Sequence, residues 1–517
     1  MAALLYDDIN KSHNNNYLKS HFIYFSVVSS LNHALAYVVI AYASSLLDEK
    51  VASTILGLSW LLNAFSGLFL TTYITKLLGY RLAMFLAHIG FTIQMACLYI
   101  SILYPEVAMI VCISGSIFSG ITSAIFWTAQ GMCFELTAGK ISDNMSEIEN
   151  PDGHSDKSLV YESSQINTIR ATLSARWTII YQSADIIVFF SLSILPLYLH
   201  ANILTVLLAI TLVGVITSLL ALTYDTLGHK EPTLTWVEVR NSIFSVPQQF
   251  IYDSRATLIA PFVFGFGITT SMFAYYINGK VTAHSHLGVL AIGMLESFSY
   301  LIAALSAYPY AYICSHVKGG NHIVMQFGSL AFILSGVVVL FVGEEQLALW
   351  YVSLVVRTLY GLGRGVFEGA CRSVYADLFA GDDLAAAFSS QTLLAGASGG
   401  ICFLVYRHLT RTQIASITIT NGIIAILFYA ILALQPQTRL KHNKPIPWHE
   451  LYVLKLLYKN DGVSYLSSKY NNNGSSAHLL DSAYTTGNGT HSKDRESYTV
   501  PLLEPETNGT GAGDRLY

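Results

Sequence analysis

The sequence contains little charge for its length. Of its 517 residues, 28 are Lys or Arg and 32 are Asp or Glu, so 12% are charged, whereas about a quarter are charged in a typical soluble protein. So few charges cannot cover the surface of a soluble protein of this size. The net charge of −4 gives no basic excess to contact phosphates, which excludes nucleic acid as an expected partner.

Patterned cysteines and catalytic motifs are also lacking. The six cysteines lie in or beside apolar segments without a CxxC pair or a metal-binding spacing, so we interpret them as buried thiols. The sequence has no nucleophile elbow, phosphate-binding loop, glycine-rich dinucleotide turn or HExxH motif. We therefore expect no enzyme activity, no metal site and no cofactor.

Long apolar segments are abundant instead, and the mean hydropathy is +0.49. A bilayer core about 30 Å thick requires roughly 20 apolar residues in a helix, and the sequence supplies this length twelve times. The predicted spans are 22–46, 52–74, 82–103, 107–134, 177–199, 202–224, 257–278, 287–312, 323–342, 347–371, 384–406 and 413–434. The sequence therefore predicts an all-α protein that crosses a lipid bilayer.

The orientation follows from the basic residues of the connections. On the side of the N-terminus the connections and the tail contain 22 Lys and Arg, and on the opposite side they contain 4. Because basic loops stay in the cytoplasm, we expect both termini to be cytoplasmic. The first 20 residues contain no apolar signal-peptide core, so we expect the first span to act as an uncleaved signal anchor. The plasma membrane and an endosomal or lysosomal membrane are both open as locations.

The spans divide into two groups of six. We expect a cytoplasmic N-terminal segment at 1–21, a six-helix bundle at 22–224, a cytoplasmic linker at 225–256, a second bundle at 257–434 and a largely disordered cytoplasmic tail at 435–517. The first bundle includes an acidic, Ser-rich cytoplasmic insertion at 137–176, which we expect to be disordered at its centre.

The two bundles also match each other in sequence at an offset of 241 residues. The matched pairs are Gly79 with Gly320, Gly120 with Gly361, Phe126 with Phe367, and Ala129 with Ala370. Two pseudo-symmetric six-helix bundles with a cavity between them are the layout of major facilitator transporters. We therefore predict the major facilitator fold.

Three sequence segments carry a resemblance to known families. Lys76–Arg81 resembles a degraded copy of the Asp-Arg-x-Gly-Arg-Arg loop signature of the major facilitator superfamily, without its acidic residue. Residues 56–79 followed by Phe126–Gly131 resemble the ion-channel regulatory family named after the uncoordinated-93 protein, and so do residues 376–403. The resemblance implies regulation of an ion channel, with a potassium channel subunit or another membrane protein as partner. The acidic insertion departs from the short, basic connection associated with that family.

Span ten contains the densest group of charges. Arg357, Gly361, Arg364 and Glu368 are spaced by four, three and four residues, which places them on one helical stripe. We expect Arg364 and Glu368 to neutralise each other, leaving Arg357 free for an anionic group or another helix. The alternative is a salt bridge that only fixes packing.

Other polar residues of the spans are candidates for the cavity or for coupling. Asp185 and Glu296 have no partner nearby in sequence, so each is a candidate for proton coupling or for a hydrogen bond to a neighbour. The remaining candidates are Asn32 and His33 in span one, Gln130 in span four, and Tyr275, Tyr276 and Asn278 in span seven. Packing is the alternative for each. We expect Glu135, at the end of span four, to be solvated.

Two functions are consistent with these observations. The family resemblance favours a membrane protein that regulates a potassium channel or the trafficking of a membrane partner. The fold and the charges inside the spans favour a secondary active transporter, which moves a small solute or ion by alternating access. Coupling of this transport to protons is one form of the hypothesis.

Overall fold

The fold consists of long helices connected by short turns. In the computed structural model, the residues described are 2–149, 158–227, 236–379, 383–435 and 446–451, and within these ranges no strand occurs. Eleven helical segments in them are long and apolar enough to cross a membrane. The twelfth span, span ten of the sequence, is divided into shorter helical pieces and carries most of the intramembrane charge. The predicted all-α, twelve-span architecture is confirmed.

Six helices form the N-terminal half. They are α1 (Ala2–Leu46), α2 (Glu49–Phe69), α3 (Thr71–Leu103), α4 (Ala108–Glu149), α5 (Ser158–Leu199) and α6 (Ile203–Ala221), with a 3-10 turn at Pro105–Val107. Helix α3 is broken at Gly79, where φ is 67°. Residues 71–78 therefore continue span two, and span three begins after this glycine, whose left-handed conformation a side chain would disfavour.

The C-terminal half follows a linker helix, α7 (Trp236–Tyr252). Its helices are α8 (Ser254–Ser271), α9 (Gly288–His316), α10 (Gly320–Phe341), the short α11 (Glu344–Leu347), α12 (Trp350–Gly365), α13 (Cys371–Leu378), α14 (Asp383–Tyr406) and α15 (Arg411–Ala433), and a 3-10 turn follows at Trp448–Glu450. Two π-helical segments interrupt the regular pitch, Met272–Thr282 after α8 and Val366–Ala370 between α12 and α13. Span seven is therefore α8 with its π segment, and span ten is α12, the second π segment and α13.

Side-chain caps define where several spans begin. Asp48, Asn202 and Asp253 each accept a hydrogen bond from the backbone N–H two residues later, at the starts of α2, α6 and α8. Thr410 and Gln413 form a capping box at the start of α15. These residues satisfy backbone donors that a helix start leaves free, which lets the chain turn sharply at the membrane faces.

The internal repeat is visible in the packing of the two halves. A Cβ atom on Gly120 would lie 2.8 Å from Cβ of Leu62 in span two, and one on Gly361 would lie 2.9 Å from Cβ of Ile302 in span eight. The two glycines thus allow the same close helix approach in each half. The offset of 241 residues found in the sequence therefore reflects a structural repeat.

Large apolar side chains cover the outside of the spans. The exposed side chains include Leu212, Ile216, Leu219, Leu305 and Phe341. Apolar side chains on the protein surface are the arrangement expected where lipid is the solvent. This places the polar and charged side chains of the spans in the interior, between the helices.

The connection between spans four and five differs from the predicted insertion. Helix α4 extends to Glu149 and α5 begins at Ser158, so helical backbone occupies most of 137–176. The predicted disordered centre lies at 150–157, outside the described residues. The predicted tail lies outside them as well, except for residues up to Gln435 and a short segment at 446–451.

Candidate functional site

A cavity lies between the two halves. Spans one to four contribute most of its wall, and spans seven, ten and eleven close it. Its aromatic lining residues are His33, Tyr37, Trp60, Phe91, Trp127, Phe266 and Phe367. Its polar lining residues are Ser59, Asn63, Gln94, Ser119, Ser123, Gln391 and Thr392, together with Arg372. We call this space the central cavity.

Five buried polar side chains join span ten to the N-terminal half beside this cavity. Arg364 lies 3.5 Å from Asp185 and 3.9 Å from Glu368, and Glu368 lies 3.1 Å from Arg372. Arg372 also donates a hydrogen bond to Gln130. We call Gln130, Asp185, Arg364, Glu368 and Arg372 the seam network, because Gln130 and Asp185 belong to one half and the other three to the other half.

Aromatic rings flank both arginines of the seam network. The guanidinium of Arg364 lies 4.2 Å from the ring centre of Tyr37 and 4.5 Å from that of Tyr300. The guanidinium of Arg372 lies 4.5 Å from the ring centre of Trp127. Such cation–π contacts stabilise a desolvated cation. They stabilise each arginine in addition to its carboxylate contacts.

Arg357 belongs to a separate cluster inside the C-terminal half. It lies 2.5 Å from Glu296 of span eight and donates a hydrogen bond to Asn278 of span seven. Asn278 in turn donates to Glu296 over 2.8 Å. We call Arg357 and Glu296, together with Asn278 that bonds both, the C-half ion pair. Of the two expected partners of Arg357, an anionic group or another helix, the structure shows the second, because Glu296 of span eight neutralises it.

The two clusters together balance the charge inside the spans. Arg357, Arg364 and Arg372 face Asp185, Glu296 and Glu368, and all six side chains are buried. A buried charge without a partner costs several kcal/mol, so a balanced set is the arrangement that the membrane interior permits. The pairing of Arg364 with Glu368 alone, expected from sequence, is corrected to a network that includes Asp185 and Arg372.

A further ionic contact joins the halves on the side of the N-terminus. Arg170 of span five pairs with Glu135 of span four and lies 3.4 Å from Asp377 of span ten. Asn321, at the start of span nine, donates to Asp377 over 3.1 Å. Glu135, which we expected to be solvated, is therefore a paired residue in this contact.

Tyr275 and Tyr276 lie at the opposite end of the protein and not on the cavity wall as expected. Tyr275 donates a hydrogen bond to Glu49 at the start of span two, and Tyr276 donates to Glu344 over 2.9 Å. Lys280 lies 3.3 Å from Glu49. The π segment of span seven carries these side chains beyond the cavity. There, on the side away from the N-terminus, Tyr275 and Lys280 connect the two halves through Glu49, whereas Tyr276 bonds within the C-terminal half.

Span one places its two candidates in different environments. Asn32 donates to the carbonyl of Gly214 over 3.0 Å and to Thr217 over 2.9 Å, so it fixes span one to span six. His33 lies on the cavity wall, with its Nδ1 2.9 Å from the Tyr181 hydroxyl. Of the two, His33 is the residue that a solute in the cavity would meet.

Arg372, the one charged side chain among the described residues of the cavity wall, was not among the residues predicted from sequence. The predicted end of span ten at residue 371 assigned it to a connection, but the helix continues to Leu378. The spacing of four residues from Arg364 to Glu368 and again to Arg372 was a usable signal. A chain of alternating charges at helical spacing indicates that the helix continues.

Three solved structures of similar fold are described as membrane transporters. The human organic anion transporter MFSD10 (TETRAN) is 12% identical, with a TM-score of 0.53 over 81% of this chain and 99% of that one. The nucleoside transporter NupG is 14% identical, with a TM-score of 0.50 over 80% of this chain and 100% of that one.

A third structure gives the same result. A bacterial homologue of the iron transporter ferroportin, in an outward-facing state with soaked iron, is 12% identical, with a TM-score of 0.50 over 80% of this chain and 99% of that one. No protein-family model and no curated protein matches the sequence. The chain therefore has the major facilitator fold, and the narrower resemblance to the uncoordinated-93 family stays a prediction.

Proposed function

We propose that this protein is a secondary active transporter that moves a small solute through the central cavity by alternating access. The observation that carries the proposal is the position of the cavity between two halves whose contacts can be exchanged. Arg170 and Asp377 join the halves on the N-terminal side, and Glu49 and Tyr275 join them on the opposite side. If the contacts on one side open while those on the other side stay closed, the cavity is exposed to one side of the membrane at a time.

The seam network would close the cavity on its N-terminal side. Span four runs from Trp127 on the cavity wall through Gln130 to the N-terminal face. Span ten runs from Phe367 on the cavity wall through Arg372 to the same face. Rotation of the halves toward an N-terminal opening would separate Asp185 from Arg364. The ring of Tyr300, which belongs to the same half as Arg364, would continue to stabilise its charge.

Asp185 is the residue to which we assign proton coupling. Neither of its carboxylate oxygens makes a hydrogen bond within the described residues, and its one cationic neighbour there is Arg364 of the other half. A carboxylate that loses its cation in a membrane interior is neutralised by a proton. Glu296, the other candidate, keeps its partner in every arrangement of the halves, because Arg357 belongs to the same half.

The orientation within the proposal follows the distribution of basic residues. Both termini would be cytoplasmic, so the opening toward the N-terminal side would face the cytoplasm. Channel regulation, and with it a potassium channel partner, rests on the sequence resemblance alone.

Alternating access can be tested without knowing the solute. Ser123 lies on the cavity wall and makes no hydrogen bond within the described residues, so Ser123→Cys is a mild change. In vesicles of defined orientation, a membrane-impermeant thiol reagent should label this cysteine from either face. Ser335→Cys, a buried position outside the cavity, is the matched control and should stay unlabelled.

The labelling also tests the coupling assignment. Mildly acidic buffer should increase labelling from the N-terminal side, and Asp185→Asn should remove this pH response. Labelling of Ser123→Cys from one face only, in every condition, would contradict transport by alternating access.

A further inference from the structure

Three polar side chains of the cavity wall have no hydrogen-bond partner among the described residues. Asn63, Gln94 and Ser123 lie on spans two, three and four, and none makes a side-chain hydrogen bond within the part of the chain that the structure describes. The Oδ1 atom of Asn63 is also inaccessible from the surface. Because unpaired polar groups in a desolvated site are unfavourable, these side chains would gain by bonding a solute in the cavity.

The chemistry of these groups favours an uncharged solute. Amides and hydroxyls both donate and accept hydrogen bonds, and they carry no charge. Arg372, the one charged lining residue, already pairs with Glu368 and donates to Gln130. An ion entering the cavity would lose its hydration without meeting a free countercharge, which is unfavourable in a membrane interior.

The aromatic lining favours a planar ring. Trp127 and His33 pack with ring centres 4.7 Å apart on one part of the wall. Phe266 and Phe367 stack on another part with ring centres 3.7 Å apart. Aromatic side chains bind flat rings by stacking, largely independently of the ring's substituents.

We propose that the central cavity binds a neutral heteroaromatic solute, whose ring stacks on the aromatic wall and whose edge bonds to Asn63, Gln94 and Ser123. The carboxamide of Asn or Gln can donate one hydrogen bond and accept another side by side. This pattern matches the edge of a heteroaromatic ring, where a ring nitrogen lies next to a carbonyl or amino group. A sugar offers hydroxyl groups but no flat π face, and an aromatic acid brings a charge that the cavity does not balance. The inference rests on the proposed transport function, because it assigns the solute of that cavity.

Equilibrium binding to the purified full-length protein tests this solute class. Radiolabelled adenine should bind saturably, and unlabelled nicotinamide should displace it. Benzoate, glucose and tetramethylammonium represent an aromatic anion, a neutral sugar and an organic cation, and they should not displace it. Displacement by any of these three at concentrations similar to nicotinamide would overturn the assignment.

A pair of matched variants locates the binding. Gln94→Leu removes a cavity amide and should weaken adenine binding about tenfold or more, the loss expected when hydrogen bonds worth about 1.4 kcal/mol are removed. Gln182→Leu removes a buried, unpartnered amide that is not on the cavity wall, and it should leave binding unchanged. Equal weakening in both variants would place the site elsewhere.

The result is separable from the test of transport. If protein with an unchanged melting temperature binds neither adenine nor nicotinamide, the solute assignment is wrong. Two-sided labelling of Ser123→Cys in the same preparation would then leave alternating access intact.

Discussion

The two buried charge clusters differ in which parts of the protein they join. The C-half ion pair connects spans seven, eight and ten, which all belong to one half. The seam network connects span ten to spans four and five of the other half. Both clusters neutralise arginines of the same span in the same membrane interior. The comparison indicates that one cluster fixes the structure of a half, whereas the other is placed where the halves must separate.

The geometry of the contacts agrees with this division. Arg357 lies 2.5 Å from Glu296, and Asn278 bonds both members of the pair. Arg364 lies 3.5 Å from Asp185 and 3.9 Å from Glu368, so its carboxylate contacts are longer. Flanking tyrosine rings of both halves stabilise Arg364 in addition. Breaking the longer contacts of Arg364, which rings also stabilise, therefore costs less free energy than breaking the short ion pair of Arg357, which has additional hydrogen bonds.

The largest effect is expected where a buried cation loses its only carboxylate. Glu296→Ala should destabilise the protein by about 3–5 kcal/mol, because it leaves Arg357 unpaired in the membrane interior. The apparent melting temperature in detergent and the monodisperse fraction should both fall strongly.

The double variant Glu296→Met with Arg357→Met is the control, because replacing both members of a buried pair by apolar residues is often tolerated. It should recover most of the loss. A single Glu296→Ala variant as stable as the wild type would show that the C-half ion pair has no structural role.

An intermediate effect is expected in the seam network. Asp185→Asn keeps Arg364 beside Glu368 and two rings, so the melting temperature should fall much less than in Glu296→Ala. Loss of a contact that closes the N-terminal side should favour opening on that side by about 1 kcal/mol, which is roughly a fivefold change in the ratio of the two states. The ratio of Ser123→Cys labelling from the two faces measures this change. A stability loss as large as that of Glu296→Ala would remove the distinction between the clusters.

A smaller effect is expected at the ionic contact near the N-terminal face. The side chains of Arg170 and Asp377 are 8% and 18% exposed, so solvent screens their interaction only in part. Arg170→Gln should raise labelling from the N-terminal side about twofold at low ionic strength, in line with the modest worth of a single ion pair near a protein surface. Added salt should produce a smaller rise in the wild type.

Lys280→Gln supplies the comparison for Arg170→Gln at the opposite face. Lys280 and Glu49 are 41% and 56% exposed, so the pair is more strongly screened than Arg170 with Asp377. Its loss should change the labelling ratio by less, and in the opposite direction. Equal effects of the two variants in the same direction would contradict their assignment to opposite faces.

The sequence predicted the framework of the fold because the bilayer imposes it. Apolar segments of spanning length and the glycine repeat were sufficient for twelve spans and two related halves. The candidates of span ten were also visible, because charges inside an apolar segment stand out. The helical backbone of residues 137–149 and 158–176 was not predicted, because a polar helix that leaves the membrane has the composition of a connection.

The partners of the charges could not be predicted, because they depend on contacts between distant spans. Arg357 and Glu296 are 61 residues apart in sequence, and Arg364 pairs with Asp185 of the other half. Local helical spacing suggested Arg364 with Glu368 alone, but the pitch changes at Val366–Ala370 and the stripe does not continue unaltered. Tyr275 was misplaced for a related reason, since a π segment precedes its contact with Glu49.

The central claim is that the two halves move relative to each other about the cavity, and distance measurements between spin labels test it most directly. One pair, Leu77→Cys with Lys318→Cys, lies at equivalent turns of the two halves on the N-terminal side. The other pair, Glu106→Cys with Glu345→Cys, lies on the opposite side, and all four positions are exposed.

Double electron–electron resonance on each pair in lipid should show two distance populations, with the long distance on one side matching the short distance on the other. Asp185→Asn should shift both pairs in opposite directions, toward a longer distance on the N-terminal side. A single, unchanged distance at both pairs, in the wild type and in Asp185→Asn, would contradict the account.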